Sequence, residues 1–153
     1  MKKLQYIIQI NAPAQVVYDK MLGLSDKRTY EAWTAAFNPT SSYEGDWSEG
    51  SKIYFVGEHE GKKSGMVSMI EQHNPTQFVS IKHLGILDGE EEITNGAEIE
   101  QWAGAHENYT FTEQNGITTV TVDLDSAEAF ASHFDESFPK ALAILKKNIE
   151  SGN

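Results

Sequence analysis

The strongest structural signal in this chain is a helical repeat of apolar residues near its end. Six residues follow one another at steps of four, four, four, three and four: Phe130, Phe134, Phe138, Leu142, Leu145 and Ile149. Because an α-helix turns once in about 3.6 residues, this spacing places all six on one helical face. Pro139 lies inside the repeat and removes one backbone hydrogen bond, so we expect a kink or a break there. The repeat predicts a long closing helix that packs against a sheet.

The segments before this helix alternate apolar and polar residues, as half-buried β-strands do. Asn115-Gly116 predicts a tight hairpin turn between the last two strands, because this pair tolerates positive φ at both central positions. The acidic piece 87–98 is predicted to be an exposed loop, and 99–102 a short extra strand. The main strands are predicted at residues 4–10, 43–47, 51–58, 65–72, 78–84, 107–112 and 117–123.

Two short helical patterns follow the first strand. The first covers residues 14–22, with Asn11 as its predicted N-cap. The second covers residues 25–37 and places Tyr30 and Trp33 on one side. No further helices separate the strands, so the element order favours one antiparallel sheet in an α+β fold.

Composition excludes several classes of function. The formal net charge of −11 argues against nucleic acids or anionic membranes as partners, because both require clustered lysine and arginine. The chain has no cysteine, which excludes disulfides and cysteine nucleophiles. A length of 153 residues indicates one domain, residues 1–153. The apolar stretch near the first residue is too short and interrupted for a signal peptide or membrane span, so we expect a cytoplasmic protein.

No motif in the chain predicts a metal site or a phosphate site. The five histidines are His59, His73, His83, His106 and His133, and no two stand at a spacing typical of metal ligands. The glycines and lysines of segment 57–64 have the wrong spacing for a phosphate-binding loop. There is no nucleophile elbow of the GxSxG type. We therefore expect no metal and no cofactor.

One strand pair carries residues suited to acid–base chemistry. Strand alternation places Glu107 on the same face as Tyr109. On the strand 78–84 we expect His83 to point inward rather than Lys82, because burying an ammonium group among apolar side chains is costly. His83, Glu107 and Tyr109 are therefore the candidates for catalysis. The alternative interpretation is that His83 is a hydrogen-bonded structural residue.

Five segments in this order resemble the START-like, helix-grip superfamily (SRPBCC proteins). Within it, the chain is similar to bacterial relatives of the C-terminal domain of the heat-shock-protein-90 ATPase activator. Trp often stands in that family where this chain has Phe138. The segments span nearly the whole chain: IQINAPAQVVYDKML, YEAWTAAFNPTSSYEGDWSEGSKIYF, GMVSMI, ENYTFTE with GITTVTVDL, and FPKALAILKKNI.

The resemblance implies a curved antiparallel sheet of about seven strands, wrapped around the closing helix, with the two short helices at one end. It also implies a hydrophobic cavity between helix and sheet. Members of the superfamily bind lipids, sterols or hormones, cyclise aromatic polyketides, or assist chaperones. The fold alone therefore selects no single function.

The predicted function is the binding of a small hydrophobic or aromatic ligand in that cavity, by a monomer or a homodimer. Two alternatives stay open. One is a polyketide cyclase-like enzyme that uses His83, Glu107 and Tyr109; the other is a co-chaperone-like interaction domain with the acidic segment 87–98 as its surface. We expect a binding protein rather than an enzyme. The predicted ligand-binding residues, which pack as plain core in the alternative interpretation, are Trp33, Phe37, Phe55, Met69, His83, Trp102, Tyr109, Phe130, Phe134 and Phe138.

Overall fold

The structure, a computed structural model, describes residues 1–152. It confirms the α+β class, with two short helices after the first strand and one long closing helix. Its elements in chain order are β1 (Lys2–Ile10), α1 (Ala14–Leu22), α2 (Lys27–Thr34), β2 (Ser42–Gly45), β3 (Lys52–His59), β4 (Lys62–Asn74), β5 (Phe78–Asp88), β6 (Glu91–Ile93), α3 (Ala97–Glu100), β7 (His106–Gln114), β8 (Ile117–Ser126) and α4 (Glu128–Glu150).

The strands form one curved antiparallel sheet in the order β1-β8-β7-β5-β4-β3-β2. These seven strands are the ones predicted. The structure adds β6, which pairs only with β5. The first and last strands in the chain, β1 and β8, are neighbours in the sheet, paired from Lys2↔Ser126 to Ile10↔Thr118.

The acidic segment after β5 differs from its prediction. Residues 87–98 were expected to form an exposed loop, but the chain turns at Gly89 (φ 64°) and returns as β6. The short strand expected at 99–102 is wrong: α3 and a turn lie there instead. Ile99 and Trp102 are three residues apart, a spacing that fits one helical turn as well as a strand. This segment therefore folds back toward α4 rather than extending the sheet.

Helix α4 runs from Glu128 to Glu150 without the break expected at Pro139. Proline removes the hydrogen bond to the carbonyl of Asp135, but the helix continues on both sides. Two contacts hold it to β1 and to the residue that follows it: the Tyr6 hydroxyl donates to Asp135 Oδ1 at 2.7 Å, and the Asn11 backbone amide donates to Glu150 Oε2 at 2.9 Å. Packing along β1 thus supports the helix through the proline, and the first half (residues 128–138) continues into the second (residues 139–150).

The two short helices are joined by a tight turn. α1 is preceded by Pro13 rather than by the predicted cap Asn11, and it ends at Gly23 in the left-handed region (φ 71°). A Cβ at Gly23 would lie 2.9 Å from the Cβ of Tyr30, so only glycine fits this turn. The indole nitrogen of Trp33 on α2 donates to the carbonyl of Met21 on α1 at 2.9 Å. This bond sets how α2 lies and which of its side chains face the sheet.

Within residues 1–152, no helix is long and apolar enough to cross a membrane.

Candidate functional site

A cavity of about 570 Å³ lies between α2, the first half of α4 and the concave face of the sheet. Strands β3, β4, β5, β7 and β8 contribute side chains to its wall, and the segment 98–105 closes one side. Small-molecule sites typically measure ~300–1,000 Å³ and have mainly apolar walls with a few polar groups. The cavity therefore has the size and the chemistry of a ligand site.

The first half of α4 forms one wall with three aromatic side chains. Phe138 is almost fully buried; it stacks on Tyr6 with ring centroids 5.0 Å apart and meets Phe37 edge-on at 4.8 Å. Phe134 is partly buried, and its ring centroid lies 6.0 Å from that of Phe138. Phe130 is 55% exposed although it borders the cavity. Exposure thus increases along the wall from Phe138 to Phe130, which places the mouth at the start of α4.

Nine of the ten predicted ligand-binding residues border the cavity. The exception is Met69, which lies on the opposite face of β4 from Ser68 and Ile70 because side chains alternate along a strand. Met66, and not Met69, borders the cavity. The nine are Trp33, Phe37, Phe55, His83, Trp102, Tyr109, Phe130, Phe134 and Phe138.

Four polar side chains form a hydrogen-bonded cluster between β4, β5 and β7, here called the polar cluster: Ser68, His83, Glu107 and Tyr109. Ser68 Oγ lies 2.7 Å from His83 Nδ1, and His83 Nε2 lies 3.1 Å from Glu107 Oε1. The Tyr109 hydroxyl donates to Glu107 Oε2. The structure thus brings Glu107 and Tyr109, which strand alternation placed on one face, together with His83, which was expected to point inward. It adds Ser68, which is fully buried and is not part of the cavity lining.

Burial raises the pKa of two phenols at this wall. Desolvation, followed by the negative charge of Glu107, raises the pKa of Tyr109 well above its usual value of 10.0. The same two causes raise the pKa of Tyr30, which also lines the cavity. Both phenols therefore stay protonated to a higher pH than an exposed tyrosine would, and Tyr109 donates to the Glu107 carboxylate.

No protein-family model matches this chain, and no curated protein matches it. Solved structures do. The Aha1 dimer from Colwellia psychrerythraea shares 20% identity, with a TM-score of 0.72 over 100% of this chain and 99% of that one. Protein NE0264 from Nitrosomonas europaea gives a TM-score of 0.72 at 12% identity, covering 99% and 96% of the two chains.

A third match, DynU16 from the dynemicin biosynthetic locus, has a TM-score of 0.69 at 13% identity. It covers 100% of this chain, which spans about half of DynU16 (49%). The chain has the helix-grip fold of the START-like proteins. The predicted resemblance is thereby confirmed for the fold, since identities this low show the fold alone.

Within this helix-grip fold, the polar cluster occupies both ring nitrogens of His83. Its Nδ1 contacts Ser68 and its Nε2 contacts Glu107, so neither ring nitrogen is free to take a proton from a ligand. Glu107 differs: each carboxylate oxygen has one partner in the cluster and a second lone pair unused. Glu107 also borders the cavity. The group best placed to meet a ligand is thus the carboxylate rather than the imidazole.

Sequence reasoning missed several residues of the site. Ser68 and Met66 follow from alternation with Ile70 along β4, a signal that was present in the sequence. Glu98 and Gln101 also border the cavity; the first lay in the predicted exposed loop (87–98) and the second in the predicted short strand (99–102), so neither was assigned to the site. In residues 1–152 no group of three or more histidine, aspartate or glutamate side chains is placed to hold a metal ion.

Proposed function

We propose that this chain binds a small hydrophobic or aromatic molecule in the cavity between α4 and the sheet. The observation that carries the proposal is the cavity of about 570 Å³. Protein interiors are close-packed and seldom contain voids larger than a water molecule. A void of this size costs stability, because its lining loses packing contacts, and such a cost favours a role in binding. Aromatic walls around one polar cluster are the usual composition of a binding site.

Native mass spectrometry of the protein purified from its own host tests the proposal directly. We expect a mass increment that corresponds to one small organic molecule and that is lost on denaturation. In parallel, the uncharged dye N-phenyl-1-naphthylamine should gain fluorescence on entering the cavity. Finding neither a retained molecule nor a fluorescence gain would overturn the proposal.

Two methionines on opposite faces of β4 offer a matched pair of variants. Met66→Trp adds bulk at the cavity wall and should weaken dye binding at least about tenfold, since the larger ring occupies ligand space. Met69→Trp makes the same chemical change on the other face and should leave dye binding unchanged. Equal effects from the two variants would place the dye outside the cavity.

A second candidate is acid–base catalysis of the polyketide cyclase type. The contacts of His83 with Glu107, and of Glu107 with Tyr109, favour it, as does the similarity to a protein of the dynemicin biosynthetic locus. It ranks below binding because both nitrogens of His83 are already engaged. If it holds, His83→Gln should abolish turnover of an aromatic polyketide-like substrate while dye binding persists. Loss of both together would indicate a structural role for His83.

A co-chaperone-like interaction has weaker support. Lysines partly neutralise the acidic segment proposed as its surface: Lys52 pairs with Glu92 at 3.1 Å and Lys62 with Asp88 at 2.8 Å. The similarity to the Aha1 dimer supports testing for a homodimer, and sedimentation velocity would separate a dimer from a monomer.

A further inference from the structure

Acidic side chains dominate the charge around the cavity. Three acidic side chains border it: Glu98, Glu107 and Asp125. Among the described residues that line the cavity, none is a lysine or an arginine. Lys3, which is not part of the lining, pairs with Asp125 at 2.7 Å, and its own side chain is 85% exposed. Two histidines, His83 and His133, also line the cavity. A ligand that enters therefore meets three carboxylates and two imidazoles, but no lysine or arginine side chain among the described lining residues.

The deepest of these carboxylates still has capacity to accept hydrogen bonds. The Glu107 side chain is 18% exposed, and the cavity provides that exposure. Its two oxygens each accept one bond within the polar cluster, while a carboxylate provides about four acceptor positions. The remaining positions are acceptors only, so they suit a hydroxyl or N–H group and oppose a second anion.

We infer that the cavity takes an aromatic molecule without negative charge whose hydroxyl or N–H group donates to Glu107, and that it rejects anionic amphiphiles such as fatty acids. The inference rests on the proposed binding function and narrows its ligand class. Like charges brought together at a poorly solvated site are strongly unfavourable, and no lysine or arginine among the described lining residues offsets them.

The test uses three competitors of nearly equal size against bound N-phenyl-1-naphthylamine. 1-Naphthol carries a donor, 1-methoxynaphthalene has the same oxygen without a donor, and 1-naphthoate carries a negative charge. We expect affinity to fall in that order, with naphthoate at least about tenfold weaker than naphthol. Naphthoate that competes as well as naphthol would overturn the inference and leave the binding function standing. A protein that binds neither dye nor competitors would overturn both.

Glu107→Gln tests whether Glu107 is the residue that discriminates naphthol from naphthoate. It removes the charge with little change of shape, so the ratio of naphthol to naphthoate affinity should fall several-fold. Glu136→Gln is the matched control: it removes one charge from the exposed side of α4, paired only with Lys140, and should leave the ratio unchanged. If Glu107→Gln does not fold, Glu98→Gln at the mouth replaces it and should shift the ratio in the same direction. An unchanged ratio in the folded variant would show that the inference is wrong.

Discussion

The two halves of α4 carry the same helical repeat but face different surroundings. In the first half, Phe130 and Phe134 border a cavity, and Phe138 closes its inner end. In the second half, Leu142 and Leu145 are buried in solid core. The first half faces α2 and the segment 98–105 across the cavity, while the second half does not line this cavity and packs in the hydrophobic core. Periodicity therefore predicts which face of a helix is inward, but not whether another side chain fills the space opposite.

The largest expected effect falls on the solid half. Leu145 is fully buried in the core, so Leu145→Ala should destabilise the protein by about 2–5 kcal/mol through lost burial and a new cavity. Urea unfolding measures the change. Lys147→Ala, on the exposed side of the same half, is the control and should stay within about 0.5 kcal/mol. A small loss for Leu145→Ala would mean that the second half is as loosely packed as the first.

The polar cluster opposite the first half should give the next largest effect. Tyr109→Phe removes the hydroxyl that donates to Glu107 and leaves that carboxylate short of a partner, at a cost of about 1–3 kcal/mol. Tyr54→Phe is a matched control, because Tyr54 also donates to a glutamate, Glu92 (2.6 Å), but at the surface. Its loss should be smaller, since water replaces the missing hydroxyl. Equal losses of stability in the two variants would show that water reaches the cavity wall as readily as it reaches the surface.

The buried phenol of Tyr109 should also make stability depend on pH in the alkaline range. The pKa of Tyr109 is raised in the folded protein, whereas the unfolded chain releases this proton near the usual value of 10.0. The native state thus binds more protons than the unfolded chain above that pH. The contribution of Tyr109 to stability is therefore fully present below about pH 10 and is lost as the pH rises further. Tyr109→Phe removes this contribution, and its stability should fall less steeply. Unfolding curves between pH 8 and 11 measure both slopes; parallel slopes would contradict the prediction.

Phe134 tests the cavity half directly. Replacing a phenylalanine in packed core with alanine typically destabilises a protein by ~3–5 kcal/mol. Phe134 is only partly buried beside the cavity, so Phe134→Ala should cost about 1 kcal/mol, the value of partial apolar burial. Urea unfolding without ligand gives the value. A cost as large as that of Leu145→Ala would mean that the cavity is filled in solution.

Much of the fold followed from patterns that local physics determines. Strand alternation and the Asn115-Gly116 turn gave the seven main strands, since one face of each is buried and register follows from the pleat. The same alternation placed Glu107 and Tyr109 on one wall. Local patterns failed for 87–102, where a tight turn at Gly89 and a single helical turn after it are too short to leave a periodic signal.

The candidate site was less predictable because it depends on contacts between distant segments. The sequence does not reveal that Ser68 and Glu107 engage both nitrogens of His83, and this pairing is what disfavours the imidazole as a free base. Alternation along β4 groups Met66 with Ser68 and Ile70 and puts Met69 on the other face, but it does not reveal which of the two faces lies toward α4. An empty volume has no residue of its own, so sequence patterns cannot show it.

The smallest expected effect on stability lies at the outer end of α4, where the comparison between its halves is most extreme. Phe130 is 55% exposed, so Phe130→Ala should change the free energy of unfolding by less than about 0.5 kcal/mol. It should nevertheless weaken N-phenyl-1-naphthylamine binding several-fold, because the ring borders the cavity mouth and covers a bound ligand. Ile117→Ala, 42% exposed and remote from the cavity lining, is the control and should change neither quantity. An exposed aromatic ring that contributes to binding but not to folding has its role in ligand binding. If Phe130→Ala instead lowers stability and leaves dye binding unchanged, the first half of α4 is ordinary core.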